Sequence, residues 1–235
     1  MTYGTLYLIP TLLGEGDIAW VIPTAVKQCI ADLSYYIVEN PKAARKFLRQ
    51  VDCNLSLQEI KMQALDEHTQ SKNFIDFLAP LLSGNNVGLL SEAGCPAVAD
   101  PGAGLIRIAH QRNIRVVPLV GPSSVLLALM ASGLNGQRFM FHGYLPVERN
   151  KRIIKIIQLE RESVRDDQTQ IFIETPYRNQ RLLEALIQNC QNNTNLCIAS
   201  NITLANEQIR TKTVKEWKQT VPKVDKELVI FLLHG

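Results

Sequence analysis

The chain reads as an α/β protein of two domains, the first built on a largely parallel sheet and the second on a mixed one. Three observations predict this. Between residues 4 and 120, short apolar strands alternate with stretches of helical periodicity, the pattern of a parallel sheet covered on both faces. Two consecutive strand ends, near 91 and 121, open through small residues into helix starts. After residue 136 the rhythm changes to more numerous strands around one long helix. A hinge near Leu119 to Pro122 follows, giving an N-terminal domain at 1–119, a C-terminal domain at 120–235 and a ligand cleft between them.

Thr5 to Ile9 is the first strand and runs into Pro10 and the turn Gly14-Glu15-Gly16-Asp17. Val26, Cys29, Ile30 and Leu33 recur at helical spacing, followed by a strand at Tyr35 to Val38. Glu39 and Asn40 lie just past that strand end, either as functional polar groups or as a solvated turn before Pro41. The next helix carries Lys42, Arg45, Lys46 and Arg49 over an inner face with Phe47 and Leu48. That basic face suits phosphate, although a solvated face explains the same pattern. Leu65-Asp66-Glu67-His68 reads as a polar loop, and Phe74 to Leu82 as a helix returning the chain to a central strand at Val87.

The stretch from Val87 to Gly102 is the centre of the pattern: a short apolar strand, a loop marked by glycine and proline, and a helix restarting at Asp100-Pro101 with Asp100 as its cap. The same grammar repeats at once, with a strand at Ile114 to Val120, a turn Gly121-Pro122-Ser123-Ser124 and a helix from Val125 to Ala131. Such strand ends line a cleft with backbone N–H groups, which fits a nucleoside-like cofactor. Neither G-x-x-x-x-G-K-S nor G-x-G-x-x-G is present, so the usual triphosphate and dinucleotide fingerprints are missing. Further on, the pattern gives a strand at Phe139 to Tyr144, a helix from Lys151 to Leu159, a strand at Thr169 to Glu174 and a helix from Tyr177 to Cys190. Strands at Asn195 to Ser200, Glu207 to Thr211 and Glu227 to Leu233, with a short helix from Val214 to Thr220, complete it.

The net charge of +3 permits contact with nucleic acid without indicating it. The five cysteines are an odd set with no C-x-x-C pair, so they read as reduced thiols. The N-terminus shows no signal-peptide pattern and no run reaches the 18 or so apolar residues of a membrane span, so a cytoplasmic protein without membrane contact is expected. His68 has no second histidine at metal spacing, and no metal is expected. Cys95 has no neighbouring His to activate it and reads as a small lining residue.

These motifs resemble the tetrapyrrole methylase superfamily, and within it the branch that methylates a ribose 2′-oxygen of small-subunit ribosomal RNA. Ser91-Glu92-Ala93-Gly94-Cys95-Pro96 with Ala99-Asp100-Pro101-Gly102 resembles S-D-A-G-T-P…S-D-P-G. Val117 to Ser124 is similar to V-P-x-P-G-P-S-A, and Ala131 to Leu134 to A-S-G-L. Phe139 to Pro146 resembles F-x-F-x-G-F-L-P, and Ile173 to Arg178 resembles Y-E-S-P-H-R. The resemblance covers nearly the whole chain in order. It implies a two-domain methyltransferase, usually dimeric, using S-adenosylmethionine. The cofactor-binding residues it implies are Ser91, Glu92, Ala93, Gly94, Cys95 and Pro96, then Gly121, Pro122, Ser123 and Ser124, then Phe141, His142 and Gly143, and finally Glu174, Thr175 and Pro176.

The departures lie on the substrate side. Pro10 to Asp17 stands against T-P-I-G-N-L-x-D, Val38-Glu39-Asn40-Pro41-Lys42 against A-E-D-T-R, and Ala199 to Leu204 against A-R-E-L-T-K. They imply an altered target or weakened activity. A ribose hydroxyl benefits from a nearby base, for which Glu39, Glu67 and His68 are the candidates. Three classes remain open: a methyltransferase acting on RNA, with ribosomal RNA or the small subunit as partner; one acting on a tetrapyrrole or other small molecule; and a catalytically weak S-adenosylmethionine-binding protein.

Overall fold

The computed structural model describes residues 2–56, 58–65, 69 and 74–235. The chain divides into two compact units, Met1–Ser123 and Ser124–Gly235, a few residues beyond the division drawn from the sequence.

In the first unit, strands β1 (Thr5–Ile9), β2 (Tyr35–Val38), β3 (Lys61–Ala64), β4 (Val87–Leu90) and β5 (Arg115–Pro118) form a parallel sheet in the order β3-β2-β4-β1-β5. The connections carry helices α1 (Ile18–Val21), α2 (Thr24–Ala31), α3 (Pro41–Val51), α4 (Phe74–Leu82) and α5 (Ala103–Gln111). Alternation along the strands sorts the core into two layers. Ile9, Tyr36, Val38 and Leu90 pack with Val26, Ile30, Phe47 and Leu48 of α2 and α3. Leu6, Ile37, Val87 and Leu89 pack with Leu78, Leu81, Leu105 and Ala109 of α4 and α5 on the other face. The buried Tyr36 hydroxyl donates to the Ile30 carbonyl at 2.9 Å, so this aromatic anchor leaves no polar atom orphaned.

β3 corrects an omission, since no strand was expected before the polar loop at Leu65. Its polar run Lys-Met-Gln-Ala gives no apolar signal because it is an edge strand with mostly exposed side chains. The start of α5 is a second correction. Asp100 does not cap it; Gly102 holds the cap position with φ +129° and no side-chain bond. Ala97 and Ala99, both at φ +64°, keep the chain out of the helical region until that point.

In the second unit, after α6 (Ser124–Ser132), strands β6 (Phe139–Tyr144), β7 (Thr169–Ile173), β8 (Asn195–Ser200), β9 (Gln208–Thr213) and β10 (Val229–His234) form a mixed sheet in the order β6-β7-β10-β8-β9. Only the β6–β7 pair is parallel. Helices α7 (Arg149–Asp166), α8 (Asn179–Asn189) and α9 (Val214–Gln219) supply Ile156, Leu159, Leu182, Leu183, Leu186 and Trp217 to one core with Phe172 and Phe231. α7 extends well past the expected Leu159. Its second half is fixed by polar groups: buried Glu160 accepts from the Gln191 amide at 2.7 Å and Thr194 Oγ1 at 2.5 Å, and Ser163 Oγ donates to the Gln168 carbonyl. No helix among the described residues is long and apolar enough to cross a membrane.

Candidate active site

The loops leaving the carboxyl ends of β4, β1 and β5, three adjacent strands, converge in the first unit. The Thr11 amide donates to the Gly94 carbonyl at 2.9 Å, Thr11 Oγ1 to the Ser91 carbonyl at 3.5 Å, and Ser91 Oγ to the Gly94 carbonyl at 3.2 Å. Thr11 and Ser91 are buried, so these bonds fix the backbone of the 91–94 loop from within. Cys95 Sγ donates to the Pro122 carbonyl at 3.4 Å, joining this loop to the Gly121-Pro122 turn. Burial pushes the Cys95 thiol up, so it stays protonated and is no nucleophile. At Gly121 a side chain is excluded outright: a Cβ would lie 2.3 Å from Pro10 Cγ.

The β2 end adds acid to this site. The Glu92 amide donates to Glu39 Oε2 at 3.0 Å, and Asn40 Nδ2 to Glu92 Oε1 at 3.4 Å. Asp100, half-buried in the same loop, has its carboxyl pushed up to about 6 by burial, then by the charge of Glu39 and, to a smaller degree, Glu92, against a hydrogen bond from Ser91 that pulls the other way. Glu39, Glu92 and Asp100 therefore form one electrostatic group. The loop that holds Glu92 and Asp100 runs through Gly94, Ala97, Ala99 and Gly102, all at positive φ. The two alanines in that state cost about 1 kcal/mol each.

In the second unit the parallel ends of β6 and β7 carry the remaining expected residues. Register slips between Phe141 and Tyr144, with Gly143 at φ +63°, which turns the strand end out of the sheet. His142 Nε2 donates to Gln170 Oε1 at 2.6 Å, and buried Gln170 thereby fixes the ring. Glu174 Oε1 accepts from the Thr175 amide at 2.6 Å and from Arg178 Nε and Nη2 at 2.9 and 2.6 Å. Its other oxygen, Oε2, is buried with no hydrogen-bond partner among the described residues. The Pro176 carbonyl accepts from the Lys226 amide at 3.1 Å.

Of the expected catalytic residues, Glu39 stands in the acidic group, while Glu67 and His68 lie outside the described residues. The expected ligand residues fall into two sets. Ser91 to Pro96 and Gly121 to Ser123 belong to the first unit, and Ser124, Phe141 to Gly143 and Glu174 to Pro176 to the second. Asp100 is the functional candidate that the sequence assigned to a helix cap. Among the described residues no group of three His, Cys, Asp or Glu is arranged to hold a metal ion. A small pocket bounded by Tyr35, Lys61 and Val87 opens at the amino ends of β2, β3 and β4, the opposite end of the sheet from this site.

A family model for the tetrapyrrole (corrin/porphyrin) methylases matches residues 24–218. The chain belongs to this methylase family. A protein from Vibrio cholerae named ribosomal RNA small subunit methyltransferase I is 30% identical over 98% of this chain and 77% of its own length. Proteins of the same name from Mesorhizobium japonicum and Buchnera aphidicola are 31% and 30% identical, over 89% and 97% of this chain and 67% and 78% of their own lengths. The crystal structure of the methyltransferase CobJ superposes with a TM-score of 0.64 at 17% identity, covering 100% of this chain and 95% of that one, a likeness of fold. In the first unit the fixed 91–96 loop and the side-chain-free Gly121 present main chain and small residues.

Proposed function

We propose that this methyltransferase transfers a methyl group from S-adenosylmethionine to a ribose 2′-oxygen of small-subunit ribosomal RNA. The observation that carries the acceptor chemistry is Asp100, a carboxylate placed in the glycine loop of the methylase family with its affinity for protons raised towards neutrality. A ribose hydroxyl must lose a proton as its oxygen is methylated, and a base that titrates near the working pH does this best. The ribosomal-RNA names of the relatives support the same acceptor.

S-adenosylmethionine supplies, when bound, a methyl group activated by its sulfonium. The residues that would hold it are the Ser91 to Pro96 backbone, Gly121 to Ser124, Phe141 to Gly143, and Glu174 to Pro176. The hydroxyls of Ser123 and Ser124 make no hydrogen bond among the described residues, and Glu174 Oε2 has none either, so donors and acceptors are available to a polar ligand. Alignment of the acceptor oxygen with the methyl group supplies most of the rate. Asp100 accepts the hydroxyl proton, its proton affinity kept high by burial first and then by Glu39 and, to a smaller degree, Glu92.

A homodimer acting on the small ribosomal subunit in the cytoplasm fits this reading. Edge strand β6 with Phe139 and Met140, and α6 with Leu126 and Met130, expose apolar side chains suited to a second copy. The test is transfer of labelled methyl to small ribosomal subunits, bulk RNA and small-molecule extracts. Label confined to ribose 2′-oxygens of small-subunit RNA is expected. Label only in small molecules would overturn the RNA reading, and the absence of both transfer and cofactor binding would overturn the enzyme.

A further inference from the structure

Helix α3 carries a row of cations, most of them without a carboxylate partner among the described residues. Ala44, Phe47, Leu48 and Val51 bury one face, and Lys42, Arg45, Lys46 and Arg49 stand exposed on the other. α3 contains no acidic residue. Lys46 pairs with Glu15. Lys42, Arg45 and Arg49 have no carboxylate partner among the described residues. At i, i+3 and i+7 they form one line about 10 Å long. The cation-rich helix α7 of the second unit differs in carrying acids of its own, Glu160, Glu162 and Asp166, and there Lys151 pairs with Glu148 and Arg165 with Asp166.

The row is also tied to the candidate active site. Glu39 of the acidic group immediately precedes it, and Asn40 links the two. Its Oδ1 accepts from the Lys42 and Ala43 amides while its Nδ2 reaches Glu92. With those amides occupied, α3 offers an anion its side chains and not its N-terminus.

Resting on the RNA reading above, we propose that the Lys42, Arg45 and Arg49 face of α3 grips the phosphate backbone of the RNA and leads it to the 91–102 loop. Three cations in line suit a polyanion with regularly spaced charges. The acidic group beside them repels phosphate, so the backbone is held on the helix while an uncharged ribose reaches Asp100. Lys46, neutralised by Glu15, is predicted to contribute less than the other three.

The test compares two triple variants of equal charge change in the full chain. One is Lys42→Gln/Arg45→Gln/Arg49→Gln. The other is Arg107→Gln/Arg112→Gln/Arg115→Gln, which removes exposed cations of α5 and the amino end of β5, towards the opposite end of the sheet. Affinity for a labelled single-stranded RNA and for isolated small ribosomal subunits is measured over a salt series, with S-adenosylmethionine affinity and melting temperature in parallel. Loss of three phosphate contacts lowers the slope of log affinity against log salt by about two for single-stranded RNA. The expected result is that loss in the α3 variant alone, with cofactor affinity and melting temperature unchanged; Arg45→Gln by itself gives about a third of it. Equal RNA affinity and slope in parent and α3 variant, or equal losses in both variants, overturn the proposal. In either case methyl transfer by the parent to ribosomal RNA still stands as the separate measure of the function. A parent that neither binds nor methylates RNA overturns both.

Discussion

Both units place acidic side chains at the carboxyl ends of parallel strands, and they treat them in opposite ways. In the first unit Glu39, Glu92 and Asp100 stand together with no ion pair to a cation among the described residues, and Asp100 is pushed up to about 6 by burial and then by Glu39. In the second, Glu174 is held by Arg178 and a backbone amide through a single oxygen. A carboxylate neutralised by an arginine braces a loop; one that is half-buried and then crowded by its own kind is kept able to exchange a proton. On the proposed function, the chemistry falls to the first unit and a shaping role to the second.

The largest expected effect is on the reaction. Asp100→Asn keeps the shape of the side chain and removes the base, so kcat should fall by roughly 10²- to 10⁴-fold with little change in S-adenosylmethionine affinity. In the parent, log kcat should rise with unit slope on the acid side of about pH 6 and level off above it. A variant within threefold of the parent, or a profile flat through that range, breaks the assignment.

Next comes the brace. Arg178→Met strands a buried carboxylate whose side chain is 1% exposed, while the arginine is 32% exposed and its charge partly screened. The loss should be about 3 kcal/mol, at the low end for a broken buried pair. It is read from the urea midpoint of the second unit's transition. Glu174→Gln/Arg178→Met should recover most of it, since no charge is left unpaired. A double variant no better than the single would mean that the contact is packing and not charge.

Much of the fold was legible because the strands and helices that build both cores are apolar and periodic. What was missed is polar. β3 shows no apolar alternation because it sits at the sheet edge, and the second half of α7 is anchored by Glu160 and Ser163, which look solvated in a sequence. The loop motifs were legible, but the role of Asp100 was not. Its proton affinity depends on burial and then on Glu39, brought to it by the pairing of β2 with β4, relations that no local pattern carries.

Two glycines extend the comparison to the backbone. Gly121→Ala places a Cβ 2.3 Å from a proline ring that cannot rotate away, so about 1–3 kcal/mol is lost as the β1 and β5 loops separate. At Gly143 nothing lies within 4 Å, and only the left-handed φ of +63° is strained, for about 1 kcal/mol. Chemical denaturation of both variants checks the order. The reverse order would mean that the first unit's loops are less tightly joined than their hydrogen bonds indicate.

The smallest effect is the cost of crowding the carboxylates. A carboxyl whose folded-state value is raised binds more protons folded than unfolded, so its charge opposes folding. The penalty is absent below the ordinary value of 3.8, grows between there and about 6, and is fully present above. Asp100 is only half-buried, so solvent screening reduces the penalty to roughly 1 kcal/mol. Asp100→Asn should therefore match the parent in stability near about pH 4 and exceed it by roughly 1 kcal/mol near about pH 8, as read from urea midpoints at both values. Salt divides the causes. Repulsion from Glu39 and Glu92 is screened at high ionic strength, whereas the desolvation of Asp100 is not. Burial is the larger cause, so added salt should close less than half of the gap at pH 8. A gap that vanishes in salt would make Asp100 a surface charge among others, and a gap independent of pH would detach it from Glu39 and Glu92 altogether.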